Sequence, residues 1–228
     1  MNLKVQVIIA AGGTGERMNA PVPKPLLLLG GEPVVVRTLK VFDAHPLVAG
    51  IVLVVHGDYI EDYRQALKAA GLARRVDVVP GGQTRTGSVR LGLRALDQDT
   101  QIVIVHDAVR PFVTGRMIDD GIAPVLKGKA AVVGVPVKPT LKVVDPVTGV
   151  VLETLDRSLV WEIQTPQIFD RRLLDQVYEG DMDASDDAGL VELAGHKVMV
   201  YMGDYRNIKI TTPEDMDIAE IFLRGRLS

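Results

Sequence analysis

The chain has 228 residues, 47% hydrophobic and 24% charged, a composition ordinary for a globular protein with a sizeable core. A net charge of −3 without an evident basic stripe argues against nucleic-acid binding, and the lack of cysteine excludes disulfides, thiolate metal sites and cysteine nucleophiles. No apolar run reaches the ~18 residues of a membrane span, and residues 1–11 lack a signal-peptide cleavage region. We therefore expect a cytoplasmic protein that contacts neither membrane nor nucleic acid.

Short apolar runs rich in β-branched residues alternate with amphipathic segments, which indicates strands covered on both faces by helices. Strands are predicted at 4–11, 51–55, 76–79, 102–106 and 130–135. Helices are predicted at about 33–44, 59–71, 85–97 and 115–127. This alternation predicts a three-layer α/β sandwich with a mostly parallel, Rossmann-like sheet, in which ligands bind beyond the carboxyl ends of the strands.

The first strand runs into a glycine-rich turn, Gly12-Gly13-Thr14-Gly15, which is followed by the cations Arg17 and Lys24. Glycines let main-chain N–H groups approach a polyphosphate, and the two cations can neutralise its charge. The stretch matches neither a Walker A loop nor the dinucleotide fingerprint, because Met18 stands where the fingerprint needs its last glycine. The pattern predicts the triphosphate site of a nucleotidyltransferase. The alternative is a tight strand-to-helix turn with a solvated arginine.

A second glycine turn, Pro80 to Val89, follows the third predicted strand. Gly81 and Gly82 allow close approach of the backbone to a ribose or a base. The polar residues after them can also serve simply as caps of the next helix.

The fourth strand ends in His106-Asp107-Ala108-Val109-Arg110-Pro111. Asp107 can support a metal-bound phosphate, or it can form a structural ion pair with Arg110. We interpret His106 as a packed strand residue rather than a catalyst.

The alternation breaks at 137–160, where two apolar runs flank Asp-Pro-Val-Thr-Gly and predict a β-hairpin. A hairpin alone cannot bury its apolar faces, so we expect this arm to pack on a second subunit. An ordinary surface hairpin folded onto its own domain is the alternative.

After the arm, Gln164 to Gln167 are predicted to lead into a helix near 169–178. An Asp-rich loop at 181–187 and a helix to about 194 follow, then strands near 197–201 and 208–210, with Lys209 pointing off a strand end. Thr212, Pro213 and Asp215 predict the start of a terminal helix. We expect one domain, 1–228, with 137–160 as a subregion.

The aspartates of the 181–187 loop admit two interpretations. Asp183, Asp186 and Asp187 could form a metal cluster. A solvated acidic loop that caps the following helix is the favoured interpretation, because aspartate is preferred at helix starts.

Together these motifs resemble the 2-C-methyl-D-erythritol 4-phosphate cytidylyltransferases of the non-mevalonate isoprenoid route, in order and over nearly the whole chain. The matching segments are Ala11–Met18 with Pro23-Lys24, Gly81–Ser88, Val105–Pro111, Asp156–Ser158 with Trp161, Thr165–Gln167, and Asn207–Lys209 with Pro213–Asp215. No single segment is decisive, but their order is specific.

The resemblance implies roles for particular residues. Arg17 and Lys24 would stabilise charge on the α-phosphate and the departing pyrophosphate. Arg157 and Lys209 would position the sugar phosphate that attacks. The implied nucleotide-binding residues are Ala11, Gly12, Gly13, Gly15, Gly82, Gln83, Ser88 and Asp107. The implied acceptor-binding residues are Asp107, Arg110, Thr140, Arg157, Thr165 and Ser185.

The resemblance also implies partners and a reaction. CTP and a sugar-alcohol phosphate would be the substrates, with Mg²⁺ bound mainly by the CTP phosphates and Asp107 as a possible support. The acceptor's phosphate would attack the α-phosphate in line, so no strong base is required. In a homodimer, Thr140 and Arg157 would reach the partner's site through the arm.

Two other functions remain open. Ribitol-5-phosphate cytidylyltransferases share several of these motifs, although Thr140–Lys142 and Asp156–Trp161 look closer to the methylerythritol family. A non-catalytic nucleotide-sensing domain is the second alternative. Retention of both Arg17 and Lys24 argues against a sensor, which needs affinity rather than charge relief in the transition state.

Overall fold

The computed structural model describes residues 3–12, 22–128, 130–180, 182 and 184–227. The structural statements below concern these residues. Gly13, Gly15 and Arg17, three of the predicted site residues, lie outside them.

The strands and helices alternate through most of the described chain. The strands are β1 (Val5–Ala11), β2 (Leu28–Leu29), β3 (Glu32–Pro33), β4 (Val48–Val55), β5 (Val76–Pro80), β6 (Ile102–Asp107), β7 (Ala130–Pro136), β8 (Lys142–Val144), β9 (Val151–Thr154), β10 (Trp161–Asp170) and β11 (Met199–Met202). The helices are α1 (Val34–Asp43), α2 (Ile60–Ala70), α3 (Arg85–Ala95), α4 (Gly115–Gly128), α5 (Arg171–Tyr178), α6 (Asp187–Leu193) and α7 (Pro213–Leu227).

A seven-stranded sheet runs through the molecule in the order β11-β7-β10-β6-β1-β4-β5. Its pairs are parallel except those of β10, which is antiparallel to both β6 and β7. The predicted mostly parallel sheet is therefore confirmed, and β1 and β6 lie side by side at its centre.

Helices cover both faces of the sheet. Val7 and Ile9 of β1 belong to an apolar cluster that includes Phe42 of α1 and side chains of α2 and α4. Ile8 points the other way, into a cluster with Leu93 of α3 and side chains of α5 and α6. Burying such a side chain fully contributes about 1.5–3 kcal/mol, so the alternation in β1 fixes the three-layer architecture that the sequence predicted.

The prediction for residues 161–170 was wrong. The sequence suggested a loop into a helix from about 169, but these residues form β10, and α5 starts at Arg171 with Asp170 as its N-cap. The strand has no apolar pattern in the sequence, because three of its buried residues are polar: Gln164, Thr165 and Gln167 are all nearly inaccessible. The pairing of β10 with β7 shifts register between Ile163 and Gln167, where Pro166 is tolerated as prolines are at bulges.

The predicted strand at 208–210 is also absent from the described structure. This segment is irregular and lies against the turn that follows β6, where the Ile210 N–H donates to the Val109 carbonyl at 2.9 Å. A single bond of this kind does not make a ladder. Lys209 therefore extends from a packed loop rather than from a strand end.

The terminal helix starts as predicted. The Thr212 hydroxyl accepts from the Asp215 N–H at 3.4 Å, and the Asp215 carboxylate accepts from the Thr212 N–H at 2.9 Å. This reciprocal pair is a capping box with an aspartate in the third position. Among the described helices, none combines the length and apolar character needed to cross a bilayer.

The hairpin arm, residues 137–160, contains the antiparallel pair β8 and β9. Asp145 accepts from the Val147 and Thr148 N–H groups, and Gly149 closes the turn at a φ of +73°, which favours glycine. The predicted hairpin is confirmed. Its apolar side chains remain outside the core of this chain, with Val147 92% and Leu152 64% exposed.

Candidate active site

Three turns meet at the carboxyl edge of the central strands. Ala10 of β1 is in register with Asp107 of β6, and the Ala108 N–H donates to the Ala10 carbonyl at 3.0 Å. The turn after β5 folds back toward them, with the Gly81 N–H donating to the Val55 carbonyl at 2.7 Å. The fold thus places Gly12, the 81–88 loop and Asp107 along one edge, where open α/β sheets bind ligands.

Ser88 joins the two glycine turns. Its Oγ accepts from the Gly82 N–H at 3.1 Å and donates to the Thr84 carbonyl at 2.9 Å. A Cβ added to Gly12 would lie 3.3 Å from this oxygen, and one added to Gly82 would lie 3.0 Å from the carbonyl carbon of Gly87. A side chain at either glycine would therefore press on its neighbours, and Ala11 and Gly12 at the end of β1 lie close to Gly82 and Ser88.

The 81–88 loop also caps a helix. The Thr84 Oγ1 accepts from the Gly87 N–H at 2.9 Å at the start of α3. The capping interpretation therefore holds for Thr84 alongside the close backbone approach at Gly82. Gln83 is exposed in the same loop.

Lys24 begins a 3-10 turn that spans Lys24–Leu26. Its Nζ donates to the Thr211 carbonyl at 2.9 Å. Thr211 is itself fixed by Asp215, which accepts from the Thr211 N–H and hydroxyl. The Lys24 ammonium is thereby held against the segment that carries Lys209.

Asp107, Arg110 and Lys209 form one charged cluster. The Asp107 Oδ2 lies 3.1 Å from both the Arg110 Nε and the Lys209 Nζ. Burial alone would raise the pKa of the Asp107 carboxyl, but the positive charges of Lys209 and Arg110 outweigh it and lower this pKa to about 2. Asp107 is therefore a carboxylate at neutral pH. The structural ion pair with Arg110 exists, and 44% of the Lys209 side chain is exposed.

Behind this cluster, Thr165 is linked to both Asp107 and His106. The Arg110 carbonyl can only accept, so His106 Nε2 donates to it at 3.1 Å, and Nδ1 accepts from the Thr165 hydroxyl at 3.0 Å. The Thr165 Oγ1 in turn accepts from the Asp107 N–H at 3.1 Å. Burial lowers the pKa of His106 to about 4, so the imidazole is neutral and its two nitrogens are occupied. His106 is a packed strand residue, as the sequence suggested.

A cleft of about 440 Å³ opens over these side chains. It brings together the predicted residues Asp107, Arg110, Thr165, Ser185 and Lys209. It is also lined by residues that the sequence argument did not select, among them Arg85, Gln164, Gln167 and Asp186. A larger cavity of about 800 Å³ lies against α2 and β5, and none of the predicted site residues that the structure describes lines it.

Some of the missed residues carried a sequence signal. Arg85 is the first residue of α3 and belongs to the 81–88 loop, and Gln167 is the last residue of the Thr-Pro-Gln segment named in the sequence analysis. The sequence could not show that they converge, because their partners lie far along the chain.

Thr140 and Arg157 do not join this cleft within one chain. Both are exposed at the base of the hairpin arm, and neither is among the described residues that line the cleft. Arg157 Nη1 instead donates to the Lys138 carbonyl at 2.9 Å, across the two ends of the arm.

The acidic loop before α6 is partly as predicted. Asp186 caps α6, since its Oδ1 accepts from the Gly189 N–H at 2.9 Å. Asp187, however, is wholly buried, so the prediction of a solvated loop was wrong for this residue, whose charge is paired with Arg85. Asp183 lies outside the described residues. Within the described part of the chain, no three His, Cys, Asp or Glu residues group as metal ligands.

The fold and this edge define a mostly parallel α/β protein whose glycine turns and charged cleft lie at the carboxyl edge of the sheet. The family model "IspD: 2-C-methyl-D-erythritol 4-phosphate cytidylyltransferase" matches residues 5–225. The chain belongs to this family of CTP-dependent cytidylyltransferases. The hypothesis made from the motifs is thereby confirmed.

Individual relatives agree over almost their full length. The 2-C-methyl-D-erythritol 4-phosphate cytidylyltransferase of Geobacter metallireducens is 41% identical, with 99% of this chain and 100% of the relative covered. That of Geobacillus thermodenitrificans is 42% identical with the same coverage. The crystal structure of 4-diphosphocytidyl-2C-methyl-D-erythritol synthase from Anaerococcus prevotii superposes with a TM-score of 0.86 at 33% identity, covering 98% of this chain and 97% of that one.

Proposed function

We propose that this chain transfers CMP from CTP to 2-C-methyl-D-erythritol 4-phosphate at the carboxyl edge of its sheet. The products are 4-diphosphocytidyl-2-C-methyl-D-erythritol and pyrophosphate, in isoprenoid precursor synthesis. Family membership supports the reaction and the acceptor. The observation that carries the location is the buried Asp107 carboxylate, which holds Arg110 and the partly exposed Lys209 beside the glycine turns.

The acceptor's phosphate is assigned to the Asp107 cleft. Lys209 and Arg110 are the cations that receive it, and Asp107 holds both in place while offsetting part of their charge. Ser185 lines the same cleft and supplies a hydroxyl group for the sugar phosphate. Thr165 lines it too, but because its hydroxyl donates to His106, its Oγ1 could only accept a hydrogen bond from that substrate. Together these groups bind and orient a dianionic monoester, which contributes most of the acceleration in a phosphoryl-type transfer.

The chemical step needs no protein base. An oxygen of the acceptor's phosphate forms a bond to the α-phosphorus of CTP while the bond from that phosphorus to the bridging oxygen breaks and pyrophosphate leaves. The attacking oxygen is already anionic at neutral pH. The nearest buried histidine, His106, is neutral with both nitrogens in hydrogen bonds, which agrees with a site that works by alignment and charge stabilisation.

We assign the nucleotide to the glycine turns. Gly82, Gln83 and Ser88 would hold the cytidine, and Ala11, Gly12, Gly13 and Gly15 would approach the triphosphate. Arg17 and Lys24 would stabilise charge on the α-phosphate and pyrophosphate. The closeness of Ser88 to both glycine turns supports a shared nucleotide site.

Mg²⁺ is proposed as the cofactor. The described residues hold no cluster of three acidic or histidine ligands, which suits a cation held chiefly by substrate phosphates with at most one or two carboxylates. Asp107 is the carboxylate that would support it. When bound, the ion neutralises triphosphate charge and helps to orient the α-phosphate.

We propose a homodimer joined through the hairpin arm, so that Thr140 and Arg157 serve the partner's cleft. The exposed apolar side chains of the arm support this assembly, as does the separation of both residues from the cleft of their own chain. Each chain works as one nucleotidyltransferase domain, since the family model matches it continuously over 5–225. The cytoplasm is the proposed location, in keeping with a chain that has no cysteine.

The experiment is pyrophosphate release from CTP with Mg²⁺ and one of two acceptors. Methylerythritol phosphate should give turnover and ribitol 5-phosphate little. Faster turnover with ribitol 5-phosphate would overturn the acceptor, and CTP binding without turnover on either would favour a nucleotide sensor. The relatives described above favour methylerythritol phosphate over both alternatives.

UTP is the matched nucleotide control in the same assay. Uracil reverses hydrogen-bond polarity where cytosine has its amino group, so groups of the 81–88 loop would be left unpaired. We expect kcat/KM for UTP to be lower by about 100-fold or more. Equal efficiency with CTP and UTP would contradict the assignment of this loop to the base.

A further inference from the structure

Arg85 lies where the 81–88 loop meets the Asp107 cleft. It is the first residue of α3, directly after the cap Thr84, and its side chain lines the cleft. Its Nη2 lies 2.5 Å from the Asp187 Oδ2, and 30% of the Arg85 side chain is exposed. None of the roles assigned above uses this arginine.

Asp187 is a buried charge that needs a partner. It is fully inaccessible at the start of α6, and its second carboxylate oxygen accepts a hydrogen bond from the Tyr178 hydroxyl. Arg85 provides its ion pair among the described residues. Burial would lower the pKa of Arg85, but the neighbouring Asp187 raises it above its usual range, so the guanidinium keeps its charge. Breaking such a pair from one side leaves an uncompensated buried charge.

The residues next to Asp187 form one wall of the cleft. Ser185 and Asp186 line it, and the Asp186 Oδ2 accepts from the Gln167 Nε2 at 2.6 Å. The Gln167 Oε1 accepts in turn from the Ala188 N–H at 3.0 Å. This wall, residues 184–187, is thus tied to β10 by Gln167 and to α3 by Arg85.

The nucleotide side keeps its shape without the Arg85 side chain. The bond from Gly82 to Ser88 and the cap from Gly87 to Thr84 both lie within the 81–88 loop. Loss of the guanidinium would therefore free the wall from α3 alone, since none of these bonds of the loop uses the Arg85 side chain. Arg85 also contributes positive charge that lowers the pKa of Asp107.

We propose that Arg85 is a positioning residue for the acceptor: its ion pair with Asp187 holds the 184–187 wall in place against the 81–88 loop. The inference rests on the assignment of the Asp107 cleft to the acceptor. Arg85 acts through Asp187 and does not itself touch the reacting phosphates. It sets the distance between the two substrate sites.

The test compares Arg85→Gln, Asp187→Asn and the double variant by steady-state kinetics. Each single variant should raise KM for methylerythritol phosphate by about tenfold to 100-fold, since a misplacement of about 1 Å can cost on the order of 100-fold. KM for CTP should change far less. In the double variant two neutral amides can hydrogen-bond in place of the ion pair, so KM for the acceptor should return toward the wild-type value.

Arg116→Gln is the matched control, because it removes the same charge from an exposed pair, 3.3 Å from Asp120, in the first turns of α4. An unchanged acceptor KM in both single variants overturns the proposal. So does a double variant as impaired as Arg85→Gln, which would mean that Arg85 contacts a substrate directly. An equal rise in KM for CTP would place Arg85 in the nucleotide site instead.

Hydrogen exchange gives a readout that does not need turnover. The amides of Ala188 and Gly189 bond to Gln167 and Asp186, and they should exchange faster in Arg85→Gln and more slowly again in the double variant. Unchanged exchange overturns the proposal even if one variant folds poorly, because Asp187→Asn reports on the same wall. If the wild-type enzyme gave no product while these shifts appeared, the proposed function would fail and the coupling would stand.

Discussion

The Asp107 cleft and the hairpin arm both carry predicted acceptor residues, but their surroundings differ. Asp107, Arg110 and Thr165 are buried, and each is bound to another strand or loop of the same chain. Thr140 and Arg157 are exposed at the base of a two-stranded ribbon whose apolar side chains face outward.

This difference indicates which parts of the site one chain can build alone. Buried hydrogen bonds and ion pairs fix the cleft, because leaving any of these groups unpaired would be costly. A two-stranded ribbon has little stability of its own in water, and exposed apolar clusters commonly mark interfaces. The cleft is therefore expected to act within its own chain, and the arm to act on a partner.

The largest expected effect comes from Lys24, whose ammonium is held within its own chain. Lys24→Ala should lower kcat by about 10²–10³-fold, because removing one preorganised donor to developing charge typically costs that much. Affinity for CTP, measured by calorimetry, should fall far less, since charge on the leaving pyrophosphate grows during the reaction. The hydrogen bond to Thr211 keeps this ammonium in position beforehand.

Lys68→Ala is the control for that measurement, as it removes an exposed lysine of α2. Turnover close to the wild-type value in folded Lys24→Ala would contradict the assignment. Arg17→Ala should behave like Lys24→Ala if both cations serve the triphosphate.

The second prediction concerns the buried network behind the cleft. Burial lowers the pKa of His106 from 6.5 to about 4, so the unfolded chain takes up a proton more readily than the folded one. The stabilisation is complete above pH 6.5 and is lost as the pH falls toward 4. When the pH is lowered from 7 to 4.5, the free energy of unfolding of the wild type should therefore fall by about 2 kcal/mol more than that of His106→Gln.

Urea unfolding at the two pH values measures this difference. His56→Gln is the matched control, because it removes a half-exposed imidazole in place of the buried one. If His106→Gln kept the full wild-type pH dependence, His106 would not be the buried neutral group described here.

The glycine turns and Asp107 could be predicted because the signal is local. In a parallel sheet, the residues that follow an apolar strand lie at the carboxyl edge, so the position of these glycines and of this carboxylate does not depend on contacts elsewhere in the chain. The hairpin was equally visible, since Asp145 to Gly149 carry their own turn chemistry.

The features that could not be predicted, strand β10 and the burial of Asp187, depend on residues that are distant in the sequence. β10 lacks a hydrophobic pattern because Gln164 and Gln167 are buried and satisfied by Asp204, Asp186 and Ala188. Asp187 looked like a surface aspartate until its partner Arg85, 102 positions away, was in place. No local propensity encodes such pairings, and both lie at the cleft.

The last prediction tests the comparison directly, by mixing subunits. Arg157→Ala and Lys24→Ala homodimers should each be nearly inactive. If Arg157 serves the partner's cleft, a mixed dimer has one site that lacks both groups and one intact site. Random exchange makes half of the dimers mixed, so about a quarter of the wild-type activity should return.

The recovery depends on Lys24 acting in its own chain, where its ammonium is bonded to Thr211, and on Arg157 lying outside that chain's cleft. Exchange must be verified, for example by mass spectrometry of differently tagged chains. A mixture of Lys24→Ala with Arg17→Ala is the matched control: both residues belong to one triphosphate site, so every site in a mixed dimer lacks one of them and no activity should return. No recovery after verified exchange would mean that Arg157 acts on its own chain or that the arm is not part of the dimer, whereas equal recovery in both mixtures would mean that the triphosphate site itself is shared between subunits.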